Sequence, residues 1–141
     1  MIIIGIDPGK HTGVCVMKGG GISLIRTVDF WWAIEIIESS AALDKTLVVV
    51  ELADTMHVWH PTKNKLSATR AGLNVGMCMR EAQLIMQYCI INNIDVVQEK
   101  PKAKLTHEEF QCITGHQKRV SQHARDAGML AHNWRHWKGE K

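Results

Sequence analysis

The four cysteines, Cys15, Cys78, Cys89 and Cys112, form no Cys-x-x-Cys pair and are scattered among largely apolar neighbours. That absence argues against a zinc ribbon, a redox pair or a disulfide framework, and leaves buried, reduced thiols as the expectation. Long hydrophobic runs are missing too: charge or Gly breaks every apolar stretch well short of the roughly 20 residues a membrane helix needs, so no membrane partner is expected. The opening Ile run has no basic leader and enters a turn directly, which points to a cytosolic protein. There is no internal repeat and no low-complexity segment. At 141 residues the chain has room for one domain with a real core and none for a two-domain enzyme.

Acidic charge is scarce in the last third. Residues 1–99 carry eight Lys/Arg against ten Asp/Glu, a net of −2, whereas residues 100–141 carry nine against four, a net of +5, and five of the eight His. A basic segment of this kind suits a polyanionic partner, and a solvated basic helix is the plainer alternative.

What the chain does have is an acid at the tip of an apolar strand. Ile2, Ile3, Ile4 and Ile6 form the short β-branched run of a strand buried on both faces, and Asp7 follows at once, leading into Pro8-Gly9. A buried carboxylate needs something to offset its desolvation. A metal ion, a phosphate-bound cation or a cap on the turn are the three candidates. Residues 12–17 and 22–28 read as two further strands joined through Gly19-Gly20-Gly21, giving an antiparallel meander. A helix is expected over Trp31 to Ala42, with Glu35 and Glu38 on its wet side, and Trp31 and Trp32 are assigned to the core or to a dimer interface. Leu47 to Val50 repeats the opening design, ending in Glu51. A long helix follows to about Asn92, with Leu84, Ile85, Tyr88 and Ile91 on its apolar face, then a strand over residues 94–97. Thr106-His-Glu-Glu109 matches a capping box, and Val120 to Ala131 reads as the last helix. Three hairpin-linked strands followed by helix, strand, helix, strand and helices make one α/β layer structure.

If the first and fourth strands lie parallel and adjacent, Asp7 and Glu51 reach the same sheet edge. Two neighbouring carboxylates repel unless a cation lies between them. His123 and Asp126, three apart, share one face of the last helix, where Ala124, Ala127 and Ala131 allow close packing. Carboxylates with one imidazole suit Mg²⁺ or Mn²⁺ better than zinc, and His57-x-x-His60 has no second ligand pair for a zinc site. Two hard ions about 4 Å apart would serve phosphodiester displacement. Alternatives remain open residue by residue: Asp7 as a turn cap, Glu51 paired with a Lys while Asp54 ligates instead, and His123 as an ordinary exposed helix residue.

Taken together, Ile4-Gly5-Ile6-Asp7-Pro8-Gly9 with Thr12-Gly13, a strand ending Val50-Glu51, the Gly72 to Asn92 helix and its following strand, Ile113-Thr114-Gly115, and His123-Ala-Arg-Asp126-Ala127 resemble the RuvC family of Holliday-junction resolvases. The likeness spans nearly the whole chain, and the short C-terminal region resembles the phage-borne members, which would place the protein in the host cytoplasm. It implies an RNase H-like (retroviral-integrase-like) α/β fold, a mixed five-stranded sheet with its first three strands antiparallel, flanked by helices. It also implies a homodimer, no nucleotide cofactor, and Mg²⁺-dependent nicking of branched DNA such as four-way junctions, with Mn²⁺ able to substitute. Asp7, Glu51 and Asp126 match the family's metal-binding acids, and His123 matches a position where many members have Asp and some His. One negative charge fewer there weakens a second metal or favours Mn²⁺.

Lys102, Lys104, Lys118 and Arg119 are the candidates for the family's basic cleft, each adding phosphate contacts rather than sequence choice. Trp59, eight positions beyond Glu51, is the candidate for an aromatic wedge stacking on an unpaired base, with Met56 second and core packing of Trp59 as the alternative. The domain is assigned to residues 1–133 and a basic tail to 134–141, where Trp134 and Trp137 are expected to await DNA for order. Two other readings keep or discard the chemistry: an RNase H-type nuclease for hybrids or flaps, and a catalytically weak protein that only binds branched DNA. A phosphate-loop ATPase is disfavoured, since no second lobe fits in the length.

Overall fold

In a computed structural model of the chain, residues 1–52 and 65–138 are described, the side chains of 65–72, 74 and 75 excepted. The elements are β1 (Ile2–Asp7), β2 (Thr12–Lys18), β3 (Gly21–Val28), α1 (Phe30–Leu43), β4 (Thr46–Glu51), α2 (Lys65–Ile91), β5 (Asp95–Glu99), α3 (His107–Thr114) and α4 (Gln122–Asn133). The sheet order is β3-β2-β1-β4-β5. β1 pairs antiparallel with β2 and parallel with β4, β2 with β3 antiparallel, and β4 with β5 parallel. This is the mixed five-stranded α/β sheet expected from the RNase H-like resemblance. The hairpin between β2 and β3 turns on Gly19 and Gly20, both at positive φ (61° and 81°), the backbone that a two-residue hairpin loop demands.

Helices cover both faces, so the central strands are apolar throughout: every residue of β1 is buried, and so is all of β4 except its terminal Glu51. Alternation divides the side chains. Ile2, Ile4 and Ile6 of β1 with Val14, Val16, Val48 and Val50 meet Ala33 and Ile37 of α1 and Ala82, Ile85 and Cys89 of α2. Ile3 of β1 with Cys15, Met17, Leu47 and Val49 meets Ala127, Leu130 and Ala131 of α4.

On that second face α4 lies at backbone contact. A Cβ on Gly5 would stand 2.0 Å from the Ala127 carbonyl oxygen, and one on Gly13 would stand 1.9 Å from that of His123. Only glycine permits this approach, and it fixes where the first turn of α4 sits over the ends of β1 and β2. Ser121 caps the helix, accepting from the Ala124 N–H at 3.1 Å. The cap explains why α4 starts at Gln122 rather than Val120.

Several sequence expectations are corrected. Trp31 and Trp32 are 73% and 47% exposed, so neither belongs to the core of this chain; Asp29 caps α1 by accepting from the Trp32 N–H and sets the helix phase that turns them outward. Ile91 is exposed, and the buried line of α2 runs through Ala82, Ile85 and Cys89 instead. Cys112 is exposed, while Cys15 and Cys89 are buried as free thiols, both pushed up to about 12 by burial. Trp134 and Trp137 are not left waiting for a ligand: both pack against the α4 face of the sheet, Trp134 Nε1–H donates to Glu99 Oε1 at 2.9 Å, and the Lys45 ammonium lies over the Trp137 ring. β5 runs on past Val97 to Glu99. Among the described residues no helix is long and apolar enough to cross a membrane.

Candidate metal and nucleic-acid site

β1 and β4 run side by side with Ile6 opposite Val50, so Asp7 and Glu51 are the next residues of neighbouring parallel strands. Alternation gives both the side of Ile3, Leu47 and Val49, which is the α4 face. The close seating of α4 then carries His123 and Asp126 to the same edge. His123 Nδ1 and Asp7 Oδ2 share a hydrogen bond of 2.8 Å, which leaves Nε2 as the other nitrogen of that ring. Gln122 Nε2–H donates to Asp126 Oδ1 over 2.7 Å, and the Lys104 ammonium stands 3.9 Å from Asp126 Oδ2.

The electrostatics are those of crowded acids. Burial first, and then the charges of Asp7 and Asp126, push the Glu51 carboxyl up to about 7, with Lys104 and His123 opposing. Asp7 is also raised, by burial foremost, although its hydrogen bond to His123 and that ring's charge work against the shift. Like charges brought this close are relieved by a cation between them.

Whether the residues fit a divalent ion has two parts. The donor chemistry fits: three carboxylates and one imidazole nitrogen, the oxygen-rich set that Mg²⁺ and Mn²⁺ take. The side-chain placement is not that of a closed cage, because among the described residues no group of three or more His, Cys, Asp or Glu is arranged to hold a metal. Asp7 and His123 are turned toward each other, and Asp126 toward Gln122 and Lys104.

The basic candidates divide. Lys104 faces the acids. Lys102 pairs with Glu99 Oε2 at 3.7 Å. Lys118 and Arg119 are exposed between α3 and α4, and Arg119 with Lys104, Thr106, His107, Gln122 and Arg125 lines a groove of about 410 Å³ beside Asp126. Trp59 and Met56, with Asp54, His57 and His60, lie outside the described residues.

Three residues that sequence reasoning left without a role matter here. Arg125 ties the site's surroundings together, its guanidinium donating to the carbonyls of Leu105 and Val120 and to Gln122 Oε1. Glu99 ends β5 directly opposite Glu51, a third acid at a strand tip; the repeated pattern of apolar strand then acid was the available signal, interrupted by Gln98. Glu81 of α2 accepts a hydrogen bond from the Gly9 N–H, and no sequence pattern marks it.

No family model matches this chain, and no curated protein matches it. Solved structures do. A Thermus thermophilus RuvC in complex with a Holliday junction substrate superposes with a TM-score of 0.58 at 19% identity, over 93% of this chain and 90% of that one. A second Thermus thermophilus RuvC structure gives 0.49 at 17% identity, over 93% and 91%. The first likeness establishes the fold: an RNase H-like sheet of the kind found in RuvC Holliday-junction resolvases, with the strand order and the antiparallel β1 to β3 described above.

Proposed function

We propose that this chain is a structure-selective endonuclease of the phage-type RuvC kind, which hydrolyses phosphodiester bonds in branched DNA such as four-way junctions and acts as a homodimer. The observation that carries the reading is the gathering of Asp7, Glu51, His123 and Asp126 at the carboxyl edge of β1 and β4, on the fold of a protein whose solved complex holds a Holliday junction. Asp7, Glu51 and Asp126 would hold Mg²⁺ or Mn²⁺, with His123 offering Nε2 while Asp7 fixes its tautomer. Divalent ions held there would supply the Lewis acidity that phosphodiester hydrolysis needs.

The protein's own part is positional. β1, β4 and α4 bring the acids together from three elements, Gln122 orients Asp126, and Lys104 offsets excess negative charge and stands ready for a phosphate. Lys102, Lys118 and Arg119 add sequence-independent phosphate contacts, and Trp59 supplies the wedge. In a dimer, two such sites would cut symmetric strands of the junction.

Asp7→Asn tests the reading on a labelled four-way junction. Nicking in Mg²⁺ should fall to background while junction binding in a gel shift persists, because the substitution removes no Lys or Arg; full cleavage by the variant refutes the assignment. A panel adding flaps and RNA–DNA hybrids separates a junction resolvase from an RNase H-type enzyme. The lack of a closed three-donor group among the described residues favours a second reading, a branched-DNA-binding protein with weak catalysis. Calorimetry decides it: Mn²⁺ binding that vanishes in Asp7→Asn excludes that alternative.

A further inference from the structure

The turn that follows Asp7 is anchored from the face opposite α4. Gly9 is buried, and both of its backbone groups are engaged: its N–H donates to Glu81 Oε2 at 2.9 Å, and its carbonyl accepts from Thr12 Oγ1 at 3.1 Å. Thr12 is fully buried at the start of β2. Glu81 lies 72 residues away in sequence, on α2, whose neighbouring Ala82 and whose Ile85, one turn on, are both fully buried against the other face of the sheet. The helix therefore cannot shift without disturbing the core. Its approach to the turn is close as well, since Cys78 Sγ would stand 3.3 Å from a Cβ on Gly9.

A further carboxylate so near the acids is costly to place. Cys78, one turn from Glu81, feels the charges of Asp7, Glu81 and Glu51 together, so Glu81 adds negative charge to a crowded neighbourhood. Among the described residues it has no ion pair, and the hydrogen bond from Gly9 is what offsets its burial. Among the described residues the hydrogen bond from Gly9 is the polar contact Glu81 makes, and a Gln side chain of the same length keeps an acceptor oxygen for that amide. The bond lies two residues beyond Asp7, on the turn into which that residue leads.

We propose that Glu81 is a positioning residue for Asp7. It acts through the Gly9 amide rather than on substrate or metal, and it couples the placement of α2 to the geometry of the acidic centre. The inference rests on the nuclease reading given above. A carboxylate held by one strand end alone can swing, whereas one whose following turn is clamped on both peptide groups is preset for a ligand.

The test uses a pair of substitutions that separate reach from charge. Glu81→Gln keeps the length and an acceptor oxygen but loses the charge; Glu81→Asp keeps the charge but is one methylene too short for Gly9. Mn²⁺ affinity of the DNA-free protein is read by calorimetry, alongside junction affinity and the rate of cleavage at saturating junction. Glu81→Asp should weaken Mn²⁺ binding and slow cleavage about 10–100-fold, the range for residues that orient metal ligands, with junction affinity unchanged, and Glu81→Gln should rescue both. Hydrogen exchange at the Gly9 amide should speed up in Glu81→Asp only.

The opposite order, Gln impaired and Asp normal, overturns the proposal by assigning the effect to charge, and native Mn²⁺ affinity in both variants overturns it outright. Should Glu81→Asp be too unstable to assay, Glu81→Ala takes its place: weakened Mn²⁺ binding and faster Gly9 exchange in Glu81→Ala but not in Glu81→Gln support the proposal, and native Mn²⁺ affinity in both refutes it. Asp7→Asn in parallel keeps the failures apart. If the wild-type protein binds Mn²⁺ through Asp7 and Glu81→Asp binds it equally well, only this inference falls; if the wild-type protein binds no Mn²⁺, the nuclease reading falls and this one with it.

Discussion

Against one face of the sheet α4 lies at backbone contact, its carbonyls where side chains would begin at Gly5 and Gly13; against the other, α1 and α2 stand off on Ala33, Ile37, Ala82, Ile85 and Cys89. The face sealed by side chains can adjust, because rotamers shift and cavities partly collapse. The face sealed by backbone has no such slack. His123 and Asp126 are borne by the second kind of contact, and a site assembled from separate elements needs that fixity, since small misplacements of donors cost much of their effect. Among the described residues, the polar contact from the adjustable face to the β1–β2 turn is that of Glu81.

The contrast is broken most severely at Gly13. Gly13→Ala would put a methyl 1.9 Å from the His123 carbonyl oxygen, a collision with backbone that no rotamer relieves. Since overpacking of ordinary core sites costs about 1–3 kcal/mol and occasionally more, this variant should exceed about 3 kcal/mol or lose the α4 face altogether. Denaturant unfolding measures it. On the other face Ile85→Ala removes a fully buried side chain and should cost about 2–5 kcal/mol. If Gly13→Ala proves milder than Ile85→Ala, the distinction between the two faces fails.

Much of this division was written in the chain. Continuous apolar runs predicted β1 and β4 as doubly buried strands, and the acids at their tips, Asp7 and Glu51, stood out because nothing else in such a run is charged. The spacing of His123 and Asp126 placed them on one helix face, and the small residues Ala124, Ala127 and Ala131 announced a close contact. Other features were not legible, for reasons that are physical rather than accidental. For Trp31 and Trp32 the core half of the expectation failed because apolar residues are common on surfaces, so hydrophobicity alone does not determine burial. Trp134 and Trp137 misled in the other direction, because a basic segment can still bury its rings when a sheet face is free to take them. Glu81 was invisible because its role depends on which turn of α2 passes over Gly9, which only tertiary packing decides.

The acidic edge predicts an opposite pH response from the one most carboxylates confer. Glu51 sits at about 7 in the fold against an ordinary 4.5, so the folded, metal-free protein binds this proton more tightly than the unfolded chain does. The associated stability is complete below about 4.5 and is lost as pH rises through about 7. Asp7, raised as well, adds to the loss in the same direction. Discounted for solvent screening, the contribution from Glu51 is about 1–2 kcal/mol. Melting in EDTA across this range should therefore show falling stability with rising pH, flattened in Glu51→Gln and offset by saturating Mg²⁺. A metal-free protein that grows more stable across that window would show that the acids do not crowd one another.

The smallest expected effect separates the basic connection between α3 and α4 from the rest of the surface. Lys118 and Arg119 are exposed on the connection between α3 and α4, on the sheet face that bears the acids, whereas Lys18 ends β2 at the far edge from Asp7. If the α4 face receives DNA, each cation that meets a phosphate releases about one counterion, and replacing both Lys118 and Arg119 by Ala should lower the slope of log affinity against log salt by about 1–2. Affinity should fall alike for four-way junctions of different sequence, because phosphate contacts carry no base information. Lys18→Ala should leave slope and affinity where they are. A double variant with an unchanged slope would remove this connection from the DNA path, and a Lys18→Ala effect of equal size would mean that attraction depends on net charge rather than on which face the charge occupies.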